Sequence, residues 1–234
     1  MPKCKPAIQN QFVQRVAIKI CGITRMEQAI EIARLGVDAI GFILYPPSPR
    51  FIEPSKIKAI VLRLPPLIKT VGVFVDEPME RLIDTVRNTG IDLAQLHGSE
   101  TPEYCGRLSD SGISWIKAFR IRDRMDIDLL ARYPTENFLL DACSDKAYGG
   151  TGKTFDWLQA KKACAAYRII LAGGLTPENV SEAIGMLNPY GLDISSGVEK
   201  APGIKSIEKV KALLKAVESP LHNQAETTTP IQRG

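Results

Sequence analysis

The sequence has few of the residues that dominate nucleic-acid and metal sites. Aromatic residues make up 6% of the 234 residues, only two histidines occur, and no five consecutive residues are basic although the net charge is +4. Nucleic-acid-binding domains usually present a clustered basic face, so a nucleic-acid partner is not expected. A mild positive balance is compatible with a small anionic substrate.

Cysteine is present, but not in a pattern that predicts disulfides or zinc. The five cysteines are odd in number, and none has Cys-x-x-Cys or Cys-x-His spacing. Such spacings mark zinc sites and redox pairs. We therefore expect no metal and no cofactor, and a redox-sensor function is weakly supported because no resolving pair is suitably spaced.

Long apolar segments are also missing. No stretch approaches the roughly 18–20 apolar residues that a membrane-spanning helix requires. Residues 1–16 lack the apolar region of a secretory signal. We expect no membrane partner and a cytoplasmic location.

Apolar and amphipathic segments alternate eight times along the chain. The predicted strands are 16–20, 37–44, 68–75, 91–97, 113–119, 137–142, 167–174 and 190–197. The predicted helices are 26–36, 54–64, 78–90, 101–110, 125–133, 155–166, 176–188 and 206–217. The strands are apolar nearly throughout, which is typical of a parallel sheet buried on both faces.

This alternation predicts an α/β protein with a single (β/α)8 TIM barrel over residues 16–218. A doubly wound open sheet is the alternative, but Gly22 stands alone where that fold carries a glycine-rich first turn. Residues 1–15 form an N-terminal extension, and the polar segment 219–234 is predicted to be disordered.

The loops after strands 7 and 8 predict a phosphate site. In this fold, backbone N–H groups of these loops and the start of a short extra helix bind phosphate. Glycine allows the backbone to approach an anion closely, and residues 198–200 are expected to open the extra helix. The alternative is that the glycines only turn the chain. The candidate residues are Gly173, Gly174, Ser195, Ser196 and Gly197.

Catalytic groups are expected at the carboxyl ends of the strands. Cys21 ends strand 1 and Asp141 ends strand 6, where a thiol and a carboxyl group facing one another suit general acid–base chemistry. A buried cysteine that only packs is the competing interpretation for Cys21. Arg50 is a candidate for binding a substrate carboxylate or a solvated loop charge, and His97 orients a polar network or caps a loop.

Two loops are candidates for closing over a substrate. They are residues 45–50 and residues 142–154, and the second contains GGTGK at 149–153. A Walker motif would need a glycine at the position of Ala147, so ATP hydrolysis is not expected. Cys143 in this loop is a bystander thiol exposed to oxidation.

Several motifs together resemble the phosphoribosylanthranilate isomerase family of tryptophan biosynthesis. The resemblance runs in order from about Val16 to Val217. It rests on KICGIT at 19–24, GFILYPPSPR at 41–50, VGVFV at 71–75, QLHG at 95–98, LLD at 139–141, GGTGKTFDW at 149–157, LAGGLTPENV at 171–180, DISSGVE at 193–199 and PG at 202–203.

The resemblance implies a reaction and a role for each matching residue. It implies an Amadori rearrangement of N-(5'-phosphoribosyl)anthranilate without metal or cofactor. The cysteine of KICGIT, Cys21, would be a general base of lowered pKa, and the aspartate of LLD, Asp141, the general acid. Arg50 would bind the anthranilate carboxylate, and the loops after strands 7 and 8 the phosphate. A monomer or a homodimer is expected.

Two alternatives stay open at this stage. One is another phosphosugar isomerase or synthase barrel, including the indole-forming enzyme of the same pathway. That enzyme would need a lysine at the pocket, for which Lys19 is the strand candidate. The other is a non-catalytic barrel that binds a phosphorylated metabolite and has no need for Cys21 facing Asp141.

Overall fold

The computed structural model describes residues 15–121, 126–142 and 157–225, with the side chains of 157–159 and 219–225 left out. The loop 143–156, with Cys143 and GGTGK, lies outside the described residues, as do residues 1–14. No helix in the described ranges is long and apolar enough to cross a membrane.

Eight parallel strands close into one barrel. β1 pairs with β2 on one side and with β8 on the other, so the (β/α)8 prediction is confirmed and the open doubly wound sheet is wrong. The strands are β1 Ala17–Cys21, β2 Ala39–Ile43, β3 Lys69–Phe74, β4 Leu93–Leu96, β5 Trp115–Ile121, β6 Asn137–Ala142, β7 Arg168–Ala172 and β8 Gly191–Ile194.

A helix follows each strand. Local sequence fixes several ends: Pro102 begins the fourth helix while the Thr101 side chain accepts a hydrogen bond from the Tyr104 backbone, and Gly90 ends the third in the left-handed conformation. The helices are α1 Met26–Arg34, α2 Pro54–Val61, α3 Met79–Thr89, α4 Pro102–Asp110, α5 Ile127–Leu130, α6 Trp157–Ala166, α7 Val180–Leu187 and α8 Ile207–Ala225.

Strand side chains alternate between two environments, because neighbouring residues point to opposite faces of a sheet. One face packs under the helices as the main apolar core, with Ile20, Phe42 and Phe74 fully or nearly fully buried. On the other face, a smaller cluster around Ile116, Ala118, Leu139 and Ala172 fills part of the barrel interior. The interior near β1, β4 and β8 is polar instead, and this is where the site lies.

Two predicted elements differ from the structure. α8 continues to Ala225, eight residues beyond the expected end at Val217, so the tail predicted to be disordered from 219 begins as helix. The extra helix expected at 198–200 is a 3-10 turn at Ser196–Val198, and a short strand, β9 Glu199–Ala201, follows it and pairs with β10 Ile204–Lys205.

Candidate active site

The carboxyl ends of the strands form the mouth of the barrel, and the predicted catalytic groups meet there. Cys21 is the last residue of β1, Asp141 the penultimate residue of β6, and His97 follows β4 directly. In the closed order, β7 and β8 separate β6 from β1. The loops after β7 and β8, which carry the predicted phosphate site, therefore lie between the thiol and the carboxyl group.

The Cys21 thiol is buried beside a glycine of the next strand. Cys21 is 5% exposed and lies opposite Gly41 of β2. A Cβ atom at Gly41 would come within 2.7 Å of Cys21 Sγ and 2.9 Å of Lys19 Cε. Gly41 therefore leaves the space that both side chains occupy, a requirement that the single sequence does not reveal.

Burial raises the pKa of Cys21, and the negative charge of Asp193 raises it further. The ammonium groups of Lys19 and Lys205 lower it, without overcoming the other two effects. The surroundings of Cys21 thus shift its pKa in the direction opposite to the lowered value that the resemblance implied, because burial destabilises the thiolate more than the two ammonium groups stabilise it.

Lys19 lies two residues before Cys21 on the same face of β1. Its side chain is 6% exposed, and its Nζ lies 2.9 Å from Asp193 Oδ2. The same ammonium donates to Gln95 Oε1 at 2.8 Å. Asp193 therefore neutralises a buried lysine, and its Oδ1 is buried without a hydrogen-bond partner among the described residues.

Asp141 faces His97 across the mouth. His97 Nε2 lies 3.3 Å from Asp141 Oδ2, with side chains 15% and 21% exposed. This contact is not a hydrogen bond, and Nε2 is buried without a hydrogen-bond partner among the described residues. A cavity of about 370 Å³ opens beside His97 at the ends of β3, β4 and β5.

Arg50 binds a carboxylate of the protein itself. Its Nη2 and Nε donate to Glu199 at 2.7 and 2.9 Å, and this fork raises the pKa of Arg50. Glu199 also accepts from Lys205 Nζ at 2.8 Å and from the backbone of Gly203 at 3.1 Å. Glu199 as the partner of Arg50, and Lys205 as the second cation on Glu199, were not predicted from the sequence, since strand β9 and its pairing were not foreseen.

The loops after β7 and β8, where the phosphate site is predicted, contain glycines with positive φ and contact each other. Gly173 and Gly174 have φ angles of 92° and 64°, which residues other than glycine rarely adopt. A Cβ atom at Gly197 would lie 1.9 Å from the Leu175 carbonyl oxygen, so the two loops are in direct contact. Ser195 Oγ is buried with no hydrogen-bond partner among the described residues.

A family model described as N-(5'-phosphoribosyl)anthranilate (PRA) isomerase matches residues 18–216. The chain belongs to the N-(5'-phosphoribosyl)anthranilate isomerase family. The match covers every strand from β1 to β8 and confirms the family resemblance that the motifs indicated.

Individual relatives agree with this assignment. An N-(5'-phosphoribosyl)anthranilate isomerase of Trichlorobacter lovleyi is 45% identical over 207 residues, covering 88% of this chain and 100% of that protein. The crystal structure of the Thermus thermophilus isomerase has a TM-score of 0.78 and 40% identity, covering 87% of this chain and 99% of that one. The chain is thus an isomerase of tryptophan biosynthesis.

One solved relative carries a ligand. It is a phosphoribosyl anthranilate isomerase in complex with reduced 1-(o-carboxyphenylamino)-1-deoxyribulose 5-phosphate, with a TM-score of 0.76, 36% identity and coverage of 87% of this chain and 99% of that one. These relatives place the chain among enzymes and disfavour the non-catalytic metabolite-binding barrel.

The indole-forming alternative loses its structural support as well. The Lys19 ammonium already pairs with Asp193 and donates a hydrogen bond to Gln95. Lys117 of β5 is a second buried strand lysine that the sequence analysis overlooked, but it pairs with Glu100 at 2.8 Å. Its Nζ also donates to three backbone carbonyls, those of Leu96, Gly98 and Ala118.

Proposed function

We propose that the chain converts N-(5'-phosphoribosyl)anthranilate to 1-(2-carboxyphenylamino)-1-deoxyribulose 5-phosphate, with Asp141 as general acid and Cys21 as general base. The observation that carries this proposal is the placement of a buried thiol and a carboxyl group at the ends of β1 and β6, on either side of the β7 and β8 loops. The assignment of roles is supported by the match of KICGIT and LLD to the family motifs.

The reaction begins with opening of the ribose ring. Asp141 donates its proton to the ring oxygen as the bond from C1' to that oxygen breaks, which leaves a Schiff base between C1' and the anthranilate nitrogen. Cys21, as thiolate, then removes the proton from C2' and forms the enolamine. Cys21 then returns its proton to C1', and the C2' hydroxyl proton passes to the Asp141 carboxylate, which gives the ketone and restores both side chains.

The surroundings of Cys21 contain cations that can stabilise its thiolate. Burial and Asp193 raise the pKa of Cys21, while Lys19 and Lys205 provide the positive charge that stabilises a thiolate. We place the substrate phosphate against the backbone of Gly173, Gly174, Ser196 and Gly197, with Ser195 Oγ as a further hydrogen-bond group.

Arg50 is the group we assign to the anthranilate carboxylate. The Arg50 side chain is 22% exposed while it binds Glu199, and a guanidinium group has five N–H donors. The fork to Glu199 uses two nitrogens, so the donors that remain can bind the substrate carboxylate from the mouth. Glu199 would then orient Arg50 rather than compete with the substrate.

The decay of anthranilate-type fluorescence tests the proposal. Freshly generated phosphoribosylanthranilate is mixed with the wild type, Cys21→Ala and Asp141→Asn. Rapid decay in the wild type and a loss of about 10²-fold or more in each variant are expected. Controls are Cys164→Ala on α6 and Asp84→Asn on the exposed side of α3. Decay at the spontaneous rate in the wild type, or full activity in either variant, contradicts the proposal.

Oligomeric state and location stay predictions. A solved relative from Thermotoga maritima is described as a dimeric isomerase from which monomers were generated. For this chain a monomer or homodimer and a cytoplasmic location are expected, and size-exclusion chromatography with light scattering decides the first.

A further inference from the structure

A line of polar contacts runs from β1 across the barrel interior to Asp141. Lys19 Nζ donates to Gln95 Oε1 at 2.8 Å. Gln95 Nε2 lies 3.0 Å from His97 Nδ1, and His97 Nε2 lies 3.3 Å from Asp141 Oδ2. We call Lys19, Gln95 and His97 the polar relay.

The first two members of the polar relay are inaccessible to water. Lys19 is 5% and Gln95 1% exposed, and a polar side chain in such a place is costly unless it is hydrogen-bonded. Asp193 holds the Lys19 ammonium from the other side at 2.9 Å. The Lys19 ammonium, where the relay begins, is therefore held in one position.

The chemistry of the groups gives the relay one direction. An ammonium only donates hydrogen bonds, so Gln95 must turn its carbonyl oxygen towards Lys19. The Gln95 amide nitrogen, which also only donates, is then the atom that faces His97. Nδ1 of His97 must accept this hydrogen bond, and a neutral imidazole that accepts at Nδ1 carries its proton on Nε2.

The orientation of Gln95 thus determines that Asp141 Oδ2 faces a protonated nitrogen of His97. An N–H group at His97 Nε2 points into the mouth next to Asp141 Oδ2 and has no aligned hydrogen-bond partner among the described residues. Hydrogen bonds of this kind are often oblique without substrate and tighten when it binds. Because Oδ2 faces a donor, the acidic proton of Asp141 belongs on Oδ1.

We propose that Lys19 and Gln95 are positioning residues that set the tautomer of His97. His97 thereby keeps the acidic proton of Asp141 on Oδ1, and it donates a hydrogen bond to the carboxylate that forms when Asp141 gives up this proton. This deepens the proposed function and rests on Asp141 as the general acid. It gives His97 a defined part, where the sequence suggested only a network or a cap.

The tautomer of His97 can be measured directly. The chain has two histidines, so a His222→Gln background labelled with ¹⁵N-histidine contains one imidazole, whose protonated nitrogen follows from long-range ¹H–¹⁵N correlation spectra. The proton is expected on Nε2 in this background. A proton on Nδ1, or an even mixture of the two tautomers, overturns the proposal.

Two substitutions of Gln95 should change the tautomer of His97 in different ways. Gln95→Leu removes the donor, so His97 should become a mixture of tautomers, and kcat should fall about tenfold or more, part of the 10²–10⁴-fold typical of general acid catalysis, with a smaller change in KM. Gln95→Glu places an acceptor opposite Nδ1 and should move a proton onto that nitrogen. Unchanged spectra in both variants contradict the relay.

The control is Thr89→Val. Thr89 is 3% exposed and donates to the Thr85 carbonyl within α3, so this change removes a buried hydrogen bond away from the relay. It should alter neither the His97 spectrum nor kcat. If Gln95→Leu does not fold, the wild type and Gln95→Glu spectra decide alone.

The relay and the role of Asp141 fail separately. Full turnover in Asp141→Asn would reject the general acid, whatever the tautomer of His97. Loss of turnover in Asp141→Asn together with a His97 proton on Nδ1 would retain the general acid and reject the relay.

Discussion

The thiol of Cys21 combines two properties that oppose each other. It must lose a proton to act as a base, yet burial and Asp193 raise its pKa. Lys19, which also forms part of the polar relay, and Lys205 partly offset this. A raised pKa also protects the thiol from oxidation and alkylation, since only the thiolate reacts readily.

The raised pKa predicts how Cys21 reacts with pH. Its alkylation by iodoacetamide should keep increasing above pH 8.5, the usual midpoint of a free thiol, because the deprotonated fraction is still rising there. Lys19→Met removes a cation that lowers the pKa, so its midpoint should lie higher still. Mass spectrometry of the peptide that contains Cys21 measures the rate, and a plateau below pH 8 in the wild type would contradict the direction of the shift.

Gly41 predicts a steric effect on the same thiol. In Gly41→Ala the new methyl group would lie 2.7 Å from Cys21 Sγ and 3.1 Å from its Cα. We expect the thiol to move, kcat to fall at least about tenfold, and the free energy of unfolding to drop by about 1–3 kcal/mol, typical of an overfilled core.

Gly106→Ala is the matched control for that change. Gly106 lies on α4, and a Cβ atom there meets nothing within 4 Å. Alanine should be neutral or stabilise the helix by up to about 1 kcal/mol and leave kcat unchanged. Equal kinetics in both alanine variants would show that Gly41 does not shape the site.

Sequence reasoning located the residues whose position along a strand carries the signal. Cys21 and Asp141 end apolar runs, which marks them without knowledge of the fold. Gly41, Glu199 and Lys205 carry no such mark, because their importance depends on which residues they meet across strands. Lys19 was noticed at a strand position, but its contact with Gln95 joins residues 76 positions apart and could not be foreseen.

Among the elements, the β9–β10 hairpin links the loop after β8 to Arg50 in the loop after β2. Glu199, at the start of β9, holds Arg50 from the loop after β2 and Lys205 from β10. The pKa of Glu199 is lowered: burial alone would raise it, but the hydrogen bonds from Arg50 and Lys205 outweigh this effect. The sequence predicted helix here because SGVE continues from a glycine-rich turn, whereas the antiparallel pairing that makes it a strand comes from residues after Gly203.

Glu199→Gln should therefore weaken both binding and folding. Loss of the charge leaves Arg50 and Lys205 close together without a counter-ion, and removing one partner of a buried ion pair typically costs about 3–5 kcal/mol. Because Arg50 is partly exposed, we expect the lower end of this range in urea unfolding, with an increased KM because Arg50 is no longer oriented.

Glu208→Gln provides the comparison on the same part of the chain. Glu208 pairs with Lys200 at 3.3 Å, but its side chain is 76% exposed, so solvent screens the pair and it contributes little to stability. Urea unfolding and KM should both stay close to the wild type. If the two glutamine variants lose equal stability, the Glu199 cluster is not the buried ion network that the structure indicates.

At the scale of the whole molecule, the barrel brings together groups that are far apart in sequence. The proposed substrate contacts come from β1, the loop after β2, β6, and the loops after β7 and β8. A substrate-like ligand should thus bind elements from both ends of the chain, whereas inorganic phosphate alone should bind only at the loops after β7 and β8. The two ligands can be compared by where they protect backbone amides from exchange.

The reduced product analogue bound by the solved relative is the probe for this comparison. At one hundred times its dissociation constant it should stabilise the protein by about 2.7 kcal/mol, which corresponds to a rise in Tm of roughly 5–10 °C for a domain of this size.

With the analogue bound, hydrogen exchange should slow at the ends of β1, β2 and β6 as well as in the loops after β7 and β8. Phosphate at equal saturation should slow exchange only in the loops after β7 and β8. Arg50→Ala should abolish the analogue's protection after β2 and keep the protection at the phosphate loops. Protection by the analogue confined to the loops after β7 and β8 would show that the remaining strand ends do not contact the substrate, and it would contradict the assignment of Arg50 together with the two catalytic residues.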